Sequence, residues 1–409
     1  MTLDTSPAAL LPGIPVAGLP AAPAPHRLLA PGTLLLAGVT PGWSVRTQQH
    51  QQMWGPLPRI DAEELTAAAD RAGLVGAGGA GFPTARKLAS MAGTRPGPVI
   101  VNGSEGESAS GKDTILLTHV PHLVLDGAVA AARALGTRQV LVRIPATRSH
   151  VIDMVAAAIE ERRDRDVRIS VSPGTDTFIA GEASAVISSL QGGPAQPMPL
   201  PKPPTMRAGL RTRPVLLSNV ETFARLALAA RGYTATSSLV TVSGAVVDAG
   251  VIEVDPQTPL GHLLRFAGAD TDLAAIITGG WHGSWLPATD DVLATPANRA
   301  ALRARGAHWG AGALIAIPHD PCPAEVLEAI TDHLVGEGAK QCGPCILGLD
   351  AARDDVRSGR TVIDRVGGRG LCAHPTATIA ALRSGQDLLA EELALHARGG
   401  CSLHAEVVR

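Results

Sequence analysis

Apolar and polar positions alternate along this chain with two different periods. Over residues 61–72 (DAEELTAAADRA) apolar positions recur at helical spacing behind Asp61, a side chain suited to cap a first turn. Further helices are expected from near Pro83 and over 122–135, 151–163 and 179–191. Short apolar strands are expected at 98–101, 139–144 and 167–171. This alternation predicts an α/β sheet, mostly parallel and covered by helices. Residues 215–231 (VLLSNVETFARLALAAR) read as a strand end, a turn and a helix.

From Ser237 the period changes. LVTVSGAVVDAGVIEV alternates about a central turn and predicts a hairpin. A short helix at 258–267 and a strand at 275–278 complete a small β-grasp-like module. One more strand is expected at 313–317, and beyond Pro323 the chain reads as helical, with Cys342, Cys345 and Cys372 in its loops. The expected organisation is an arm over 1–55, an α/β domain over 56–235, a small β domain over 236–290, a connector with a returning strand over 291–322 and a helical domain over 323–409.

A length of 409 residues suits two or three domains. Aromatic residues make up only 2%, so the core must be built from Ala, Leu, Val and Ile. A net charge of −2 gives no footprint for nucleic acid. Five cysteines, an odd number, argue against a secreted disulfide framework and for a reducing, cytoplasmic setting. Residues 5–25 lack charge but hold six prolines, so no transmembrane segment is expected. The start also lacks a basic stretch of the signal-peptide kind. Residues 1 to about 45 read as an extended, poorly ordered arm lying on a partner or on the following domain.

The densest chemistry lies over 73–113 (GLVGAGGAGFPTARKLASMAGTRPGPVIVNGSEGESASGKD). Gly76 to Gly81 fit G-x-G-x-x-G, but a helix precedes them where a dinucleotide fingerprint needs a strand. Bare N–H groups in such a loop suit phosphate. Asn102, Glu105 and Glu107 follow a strand end, with the two acids spaced to face one side of an extended turn. They suit the donors of a ribose, a ribityl chain or an amide. Lys87 and Lys112 could offset their charge, and a solvated acidic turn is the plain alternative.

The order GAGGAGFPTARK, NGSEGESASGKD, FIAGEASAVISSLQG and LLSNVETF, followed by the β-grasp segment and a Cys-bearing helical end, resembles the NADH-oxidising flavoprotein subunit (F-type) of respiratory complex I and the related subunits of soluble hydrogenases and formate dehydrogenases. The resemblance covers about 56–400. It implies a Rossmann-like FMN domain, a β-grasp soluble-ligand-binding insert and a C-terminal helical bundle. It further implies hydride transfer from NADH to FMN and single electrons passed on through a [4Fe–4S] cluster. On this resemblance Gly76, Gly78, Gly79, Ala80, Gly81 and Lys87 belong to the phosphate loop, and Phe82 lies against adenine. Asn102, Glu105 and Glu107 lie near flavin and nicotinamide, with the two acids as the catalytic pair. Gly181 and Glu182 begin the Gly-Glu-Glu turn, and Asn219 and Thr222 belong to the turn near the FMN phosphate and ribityl chain.

This chain also departs from the pattern. Ala77, Leu88, Ser104, Phe178 and Ala183 stand where the family has Arg, an aromatic, an acid, Tyr and Glu. These changes bear more on NADH than on FMN. Cys342, Cys345 and Cys372 match three cluster ligands, and Ala339 stands at the other. A cluster with three thiolates, a lost cluster and a thioredoxin-like Cys-Gly-Pro-Cys pair remain open, with zinc at these three thiols disfavoured. Cys322 and Cys401 read as structural thiols, and His282 as a structural turn residue. The activity implied is an FMN-dependent NAD(P)H oxidoreductase delivering electrons to a ferredoxin-like or quinone-linked acceptor, within or beside a larger redox complex. The alternative is a non-catalytic docking subunit.

Overall fold

The computed structural model describes residues 26–40, 42–198, 209–210 and 213–403. The first 25 residues of the expected arm and most of the proline-rich connector at 196–204 lie outside them. Strands β1 (Val99–Asn102), β2 (Gln139–Pro145) and β3 (Arg168–Gly174) come first, then a two-stranded ribbon of β4 (Gly209–Leu210) and β5 (Arg213–Pro214), then β6 (Leu216–Asn219). The main sheet has the order β3-β2-β1-β6 and is parallel throughout. Its two central strands, β1 and β2, are rich in Val and Ile, a composition suited to burial on both faces. Helices Pro121–Ala134 and Val220–Ala230 pack on it and tightly against each other. Gly127 makes that approach possible, since a Cβ there would lie 1.8 Å from the Phe223 carbonyl oxygen.

The chain leaves β1 toward β2 on one side, and β6 closes on the other side of β1. The order of the sheet therefore reverses between β1 and β6. A crevice opens at the carboxyl ends of such a strand pair, where open α/β sheets hold ligands. Asn102 and Asn219 end the two strands and are register partners.

The second sheet contains β7 (Ser238–Gly244), β8 (Gly250–Val254), β9 (Ala275–Thr278), β10 (Ser284–Pro287) and β11 (Ala313–Ile317), in the order β10-β9-β11-β7-β8. The expected hairpin is β7–β8. The returning strand β11 is its centre, parallel to β7 and antiparallel to β9. It thus joins the small β domain's own sheet instead of standing apart in a connector. β10 was not legible in GGWHGSW, because four residues are too few to display a period.

The amino-terminal segment is corrected over its described part. Leu35 and Leu36 are buried, and their N–H groups and that of Leu34 donate to the Glu253 carboxylate at 2.7, 3.0 and 3.2 Å. Helix Thr47–Trp54 follows, and its buried His50 joins Arg162 and Arg231 around the Asp126 carboxylate. An arm that supplies core side chains and bonds a buried carboxylate is part of the fold.

Helices Pro323–Gly336, Leu349–Arg357, His374–Leu388 and Ala390–His396, with a π-turn at Pro344–Gly348, form the carboxyl-terminal part. Their apolar faces share a core with Trp281 and Trp285 of the second sheet. Among the described residues no single helix is long and apolar enough to cross a membrane.

Candidate functional site

The glycine loop runs from the end of helix Ala62–Arg71 to helix Thr84–Ala89, and is closed at its base by Gly76 N–H donating to Phe82 O (2.9 Å) and Thr84 N–H donating to Leu74 O (2.8 Å). Its tip lies over the β6 end. Ala77 N–H donates to Thr222 Oγ1 at 3.0 Å, and a Cβ at Gly78 would stand 3.4 Å from the Asn219 Cβ. Gly79 and Gly81 adopt φ of +101° and +63°, a region that excludes most side chains. The N–H groups of Gly78, Gly79, Ala80 and Gly81 donate to no described residue. The loop therefore presents a row of free donors beside the strand switch point.

Arg299 adds a cation that nothing in the sequence singles out. It lies on helix Arg299–Ala304, donates from Nη1 to Gly79 O at 3.1 Å, and its guanidinium would crowd a Cβ at Gly81. It covers the loop from a point 220 residues away in sequence. Phe82 remains largely exposed at the loop's exit. Lys87 reaches the β6 backbone, donating to Leu217 O at 2.8 Å, and burial lowers its pKa.

Asn102 donates to Gly181 O at 2.8 Å, which joins the β1 end to the turn at Phe178–Gly181. Glu182 then caps helix Ala183–Leu190, accepting from Ser184 N–H (2.8 Å) and Ala185 N–H (3.1 Å). Asn219 caps helix Val220–Ala230 in the same way, accepting from Glu221 N–H at 2.9 Å.

The two acids do not share a face. Glu105 has φ +38°, which turns its side chain into the start of helix Lys112–His119. There its oxygens accept from Asp113 N–H (2.8 Å), Thr114 N–H (2.9 Å), Thr114 Oγ1 (2.6 Å), Ser110 Oγ (3.1 Å) and Arg148 Nη1 (3.2 Å). Its acceptor capacity is filled by the chain itself. Glu107 instead accepts from Ala109 N–H (3.0 Å) and from Trp281 N–H (2.9 Å) in the β9–β10 turn. That contact requires Gly280, where a Cβ would lie 2.3 Å from Glu107 Oε2. Glu107 thus ties the first sheet's loop to the second sheet.

Burial raises the Glu107 pKa from 4.5 to about 7. The folded chain then keeps a proton that the unfolded chain releases between those values, so stability present at low pH is lost as pH rises through about 7. Glu107→Gln is expected to flatten this dependence, so that denaturant midpoints at about pH 5 and about pH 7 lie closer together than in the parent.

Lys112 is the counter-charge of the site. Its Nζ meets Asp113 at 2.6 Å, Glu221 at 3.2 Å and the Asn219 side-chain oxygen at 3.2 Å, with 3% of its side chain exposed. Burial pushes Asp113 up to about 6 against the pull of Lys112. Burial would also raise Glu221, but Arg225 and Lys112 hold it below its ordinary value.

The Cys-bearing end approaches from the other side. Phe178 N–H donates to the Glu337 carboxylate at 3.0 Å, and Gln341 donates to Gln196 at 2.7 Å. The Phe178 ring packs edge-on against His282 at 4.9 Å and against His374 at 5.7 Å. Burial raises the Cys345 and Cys372 thiols. Neighbouring Glu182, Cys345 and Cys342 raise Cys372 further, which puts the three thiols in one neighbourhood beside the Glu182 turn.

Residues 69–228 match the model of the Nuo51 FMN-binding domain. This segment is similar to the FMN-binding domain of the Nuo51 family. It contains the glycine loop, the strand switch point, Asn102 and the Asn219 cap. The chain is 28% identical over 318 residues to the F-type NADH-quinone oxidoreductase subunit of Aquifex aeolicus, covering 71% of this chain and 72% of that one. It is 26% identical over 423 residues to the same-named subunit of Streptomyces coelicolor, covering 92% and 93%. Among solved structures, a NAD+-reducing [NiFe]-hydrogenase in the air-oxidised state superposes with a TM-score of 0.71 at 26% identity, over 81% of this chain. This chain spans 61% of that hydrogenase chain. The Nuo51 domain fits FMN on this structure's own terms, because the cradle is lined by glycines and free N–H donors with a cation at its edge.

Proposed function

We propose that the chain is an FMN-dependent NAD(P)H oxidoreductase, the electron-input subunit of a larger redox assembly. One observation carries this reading: the row of free N–H groups at Gly78–Gly81 beside the β1–β6 switch point. These donors and Arg299 would hold the FMN phosphate, and Asn102, Asn219 and Thr222 would border the ribityl chain. When bound, FMN supplies the exchange between a two-electron nicotinamide and one-electron carriers. The chain's part is to orient the flavin and keep water from it. Glu105 and Glu182 would act by positioning, since both serve as helix caps. Glu107, buried and with its pKa pushed up to about 7 by that burial, is the acid left to face the second sheet.

Cys342, Cys345 and Cys372 would supply three thiolates to a [4Fe–4S] cluster, with Ala339 at the position without one. The Phe178–Glu182 turn supports a route from flavin to cluster, because it touches Asn102 on one side and the thiol region on the other. The second sheet's parallel central pair, flanked by a hairpin on one side and β9–β10 on the other, supports the β-grasp reading. The acceptor fits a ferredoxin-like or quinone-linked carrier, in a cytoplasmic setting.

Anaerobic addition of NADH to the flavin-loaded chain tests the proposal. Loss of flavin absorbance is expected, with NADPH as the parallel sample. Retained flavin that neither nucleotide reduces would replace this reading with the docking subunit, which the filled Glu105 and Glu182 carboxylates would then explain.

A further inference from the structure

Two cysteines, a histidine and a glutamate outside the FMN site converge at the carboxyl-terminal end. Cys322 ends the loop after β11 and is 1% exposed, immediately before helix Pro323–Gly336. Glu392 and His396 lie one turn apart on helix Ala390–His396. The chain then reverses at Gly399, with φ +76°, and Gly400 N–H donates to Leu395 O at 3.0 Å. That reversal carries Cys401 back to the face holding Glu392 and His396. Ser402 N–H donates to Glu392 Oε1 at 2.9 Å and fixes both the carboxylate and the return.

The four ligand atoms lie within 4.8 Å of one another, and no other such group of His, Cys, Asp and Glu occurs among the described residues. Cys322 Sγ is 3.4 Å from His396 Nε2 and 3.5 Å from Glu392 Oε1, and His396 Nε2 is 3.3 Å from Glu392 Oε1. A tetrahedral zinc with Zn–S of about 2.3 Å and Zn–N or Zn–O of about 2.0–2.1 Å has S···N and S···O edges near roughly 3.5 Å and an N···O edge near roughly 3.4 Å. The three separations among Cys322, Glu392 and His396 match edges of that tetrahedron, and Cys401 Sγ lies within 4.8 Å of each of the three ligand atoms. Two sulfurs exclude magnesium and calcium, which take oxygen ligands, and a closed four-ligand set without an open position is that of a structural zinc.

We infer that Cys322, Glu392, His396 and Cys401 bind a structural zinc ion. Two thiolates offset its charge and the carboxylate leaves the site with one net negative charge, and zinc binding releases the two thiol protons to solvent. The ion joins the start of one helix to the end of the last. The stretch it closes, 322–401, contains Cys342, Cys345 and Cys372. Zinc would therefore clamp the segment that carries those three thiols, whether or not they hold iron. The inference does not depend on the proposed oxidoreductase activity.

The test uses the full chain purified without chelator, with zinc and iron measured by mass spectrometry beside the intact mass. About one zinc per chain is expected, falling roughly ten-fold or more in Cys322→Ser and in Cys401→Ser while iron is unchanged. Cobalt in place of zinc should give tetrahedral visible bands and thiolate charge-transfer absorption that both variants lose. Cys401 is partly exposed and follows the last helix, so its variant carries the test if Cys322→Ser does not fold. A wild-type chain that holds no zinc and gives no cobalt–thiolate band overturns the inference. So does an intact mass two hydrogens short that maps to a Cys322–Cys401 disulfide.

Discussion

Replacing Lys112 with methionine is expected to destabilise the fold by about 3–5 kcal/mol, read as a lower denaturant midpoint. The ammonium is enclosed with Asp113 and Glu221, and lies close enough to Glu105 to be raised by it. Methionine fills similar volume but leaves these acids without their cation. Breaking a buried pair from one side costs far more than removing both partners. Combining Lys112→Met with Asp113→Asn should recover part of the loss, giving a coupling energy in a double-mutant cycle. Equal stability of Lys112→Met and the parent would contradict the burial and pairing described here. Flavin affinity should fall together with stability, because Lys112 also holds the Asn219 side chain at the strand end.

The second large effect separates binding from folding. Gly78→Leu is expected to lower FMN affinity by at least about ten-fold, or 1.4 kcal/mol, with a far smaller change in the denaturant midpoint. A Cβ at Gly78 would stand in ordinary contact with Asn219, and the backbone there is not in the left-handed region. The fold can therefore accept a side chain. Its remaining carbons would occupy the space between loop and strand end that a phosphate or ribityl chain needs. Fluorescence titration of FMN into the deflavinated protein reads the affinity. Unchanged affinity would move the flavin away from this loop.

Much of this architecture was legible in the sequence, and the reasons are local. The strands at 275–278 and 313–317 were placed to the residue, because apolar runs bounded by glycine and proline declare themselves. The helix before the glycine loop was also legible, and it separates this loop from a dinucleotide fingerprint. Asn102 and Asn219 were visible as motif residues. That they are register partners across the switch point depends on pairing strands 117 positions apart, which no local pattern encodes.

The less legible features are those fixed by unusual backbone or by long-range contact. Two-residue spacing suggested that Glu105 and Glu107 face one way. A positive φ at Glu105 breaks that periodicity and sends the acids to different helices and sheets. Arg299 reaches the loop from the second sheet's flank, and single-chain patterning offers no sign of it. The amino-terminal segment looked disordered by composition, yet its few leucines meet a carboxylate, Glu253, that pairs three consecutive N–H groups. Cys322 and Cys401 read as isolated thiols because 79 positions of chain separate them.

The central claim is that the Gly78–Gly81 cradle at the β1–β6 switch point holds FMN. Its most direct measurement is the flavin bound to the purified full chain, released by heat and identified by mass. The account predicts FMN at about one per chain, present on purification or after reconstitution. A chain that shows no flavin absorbance and takes up no FMN on reconstitution would contradict it.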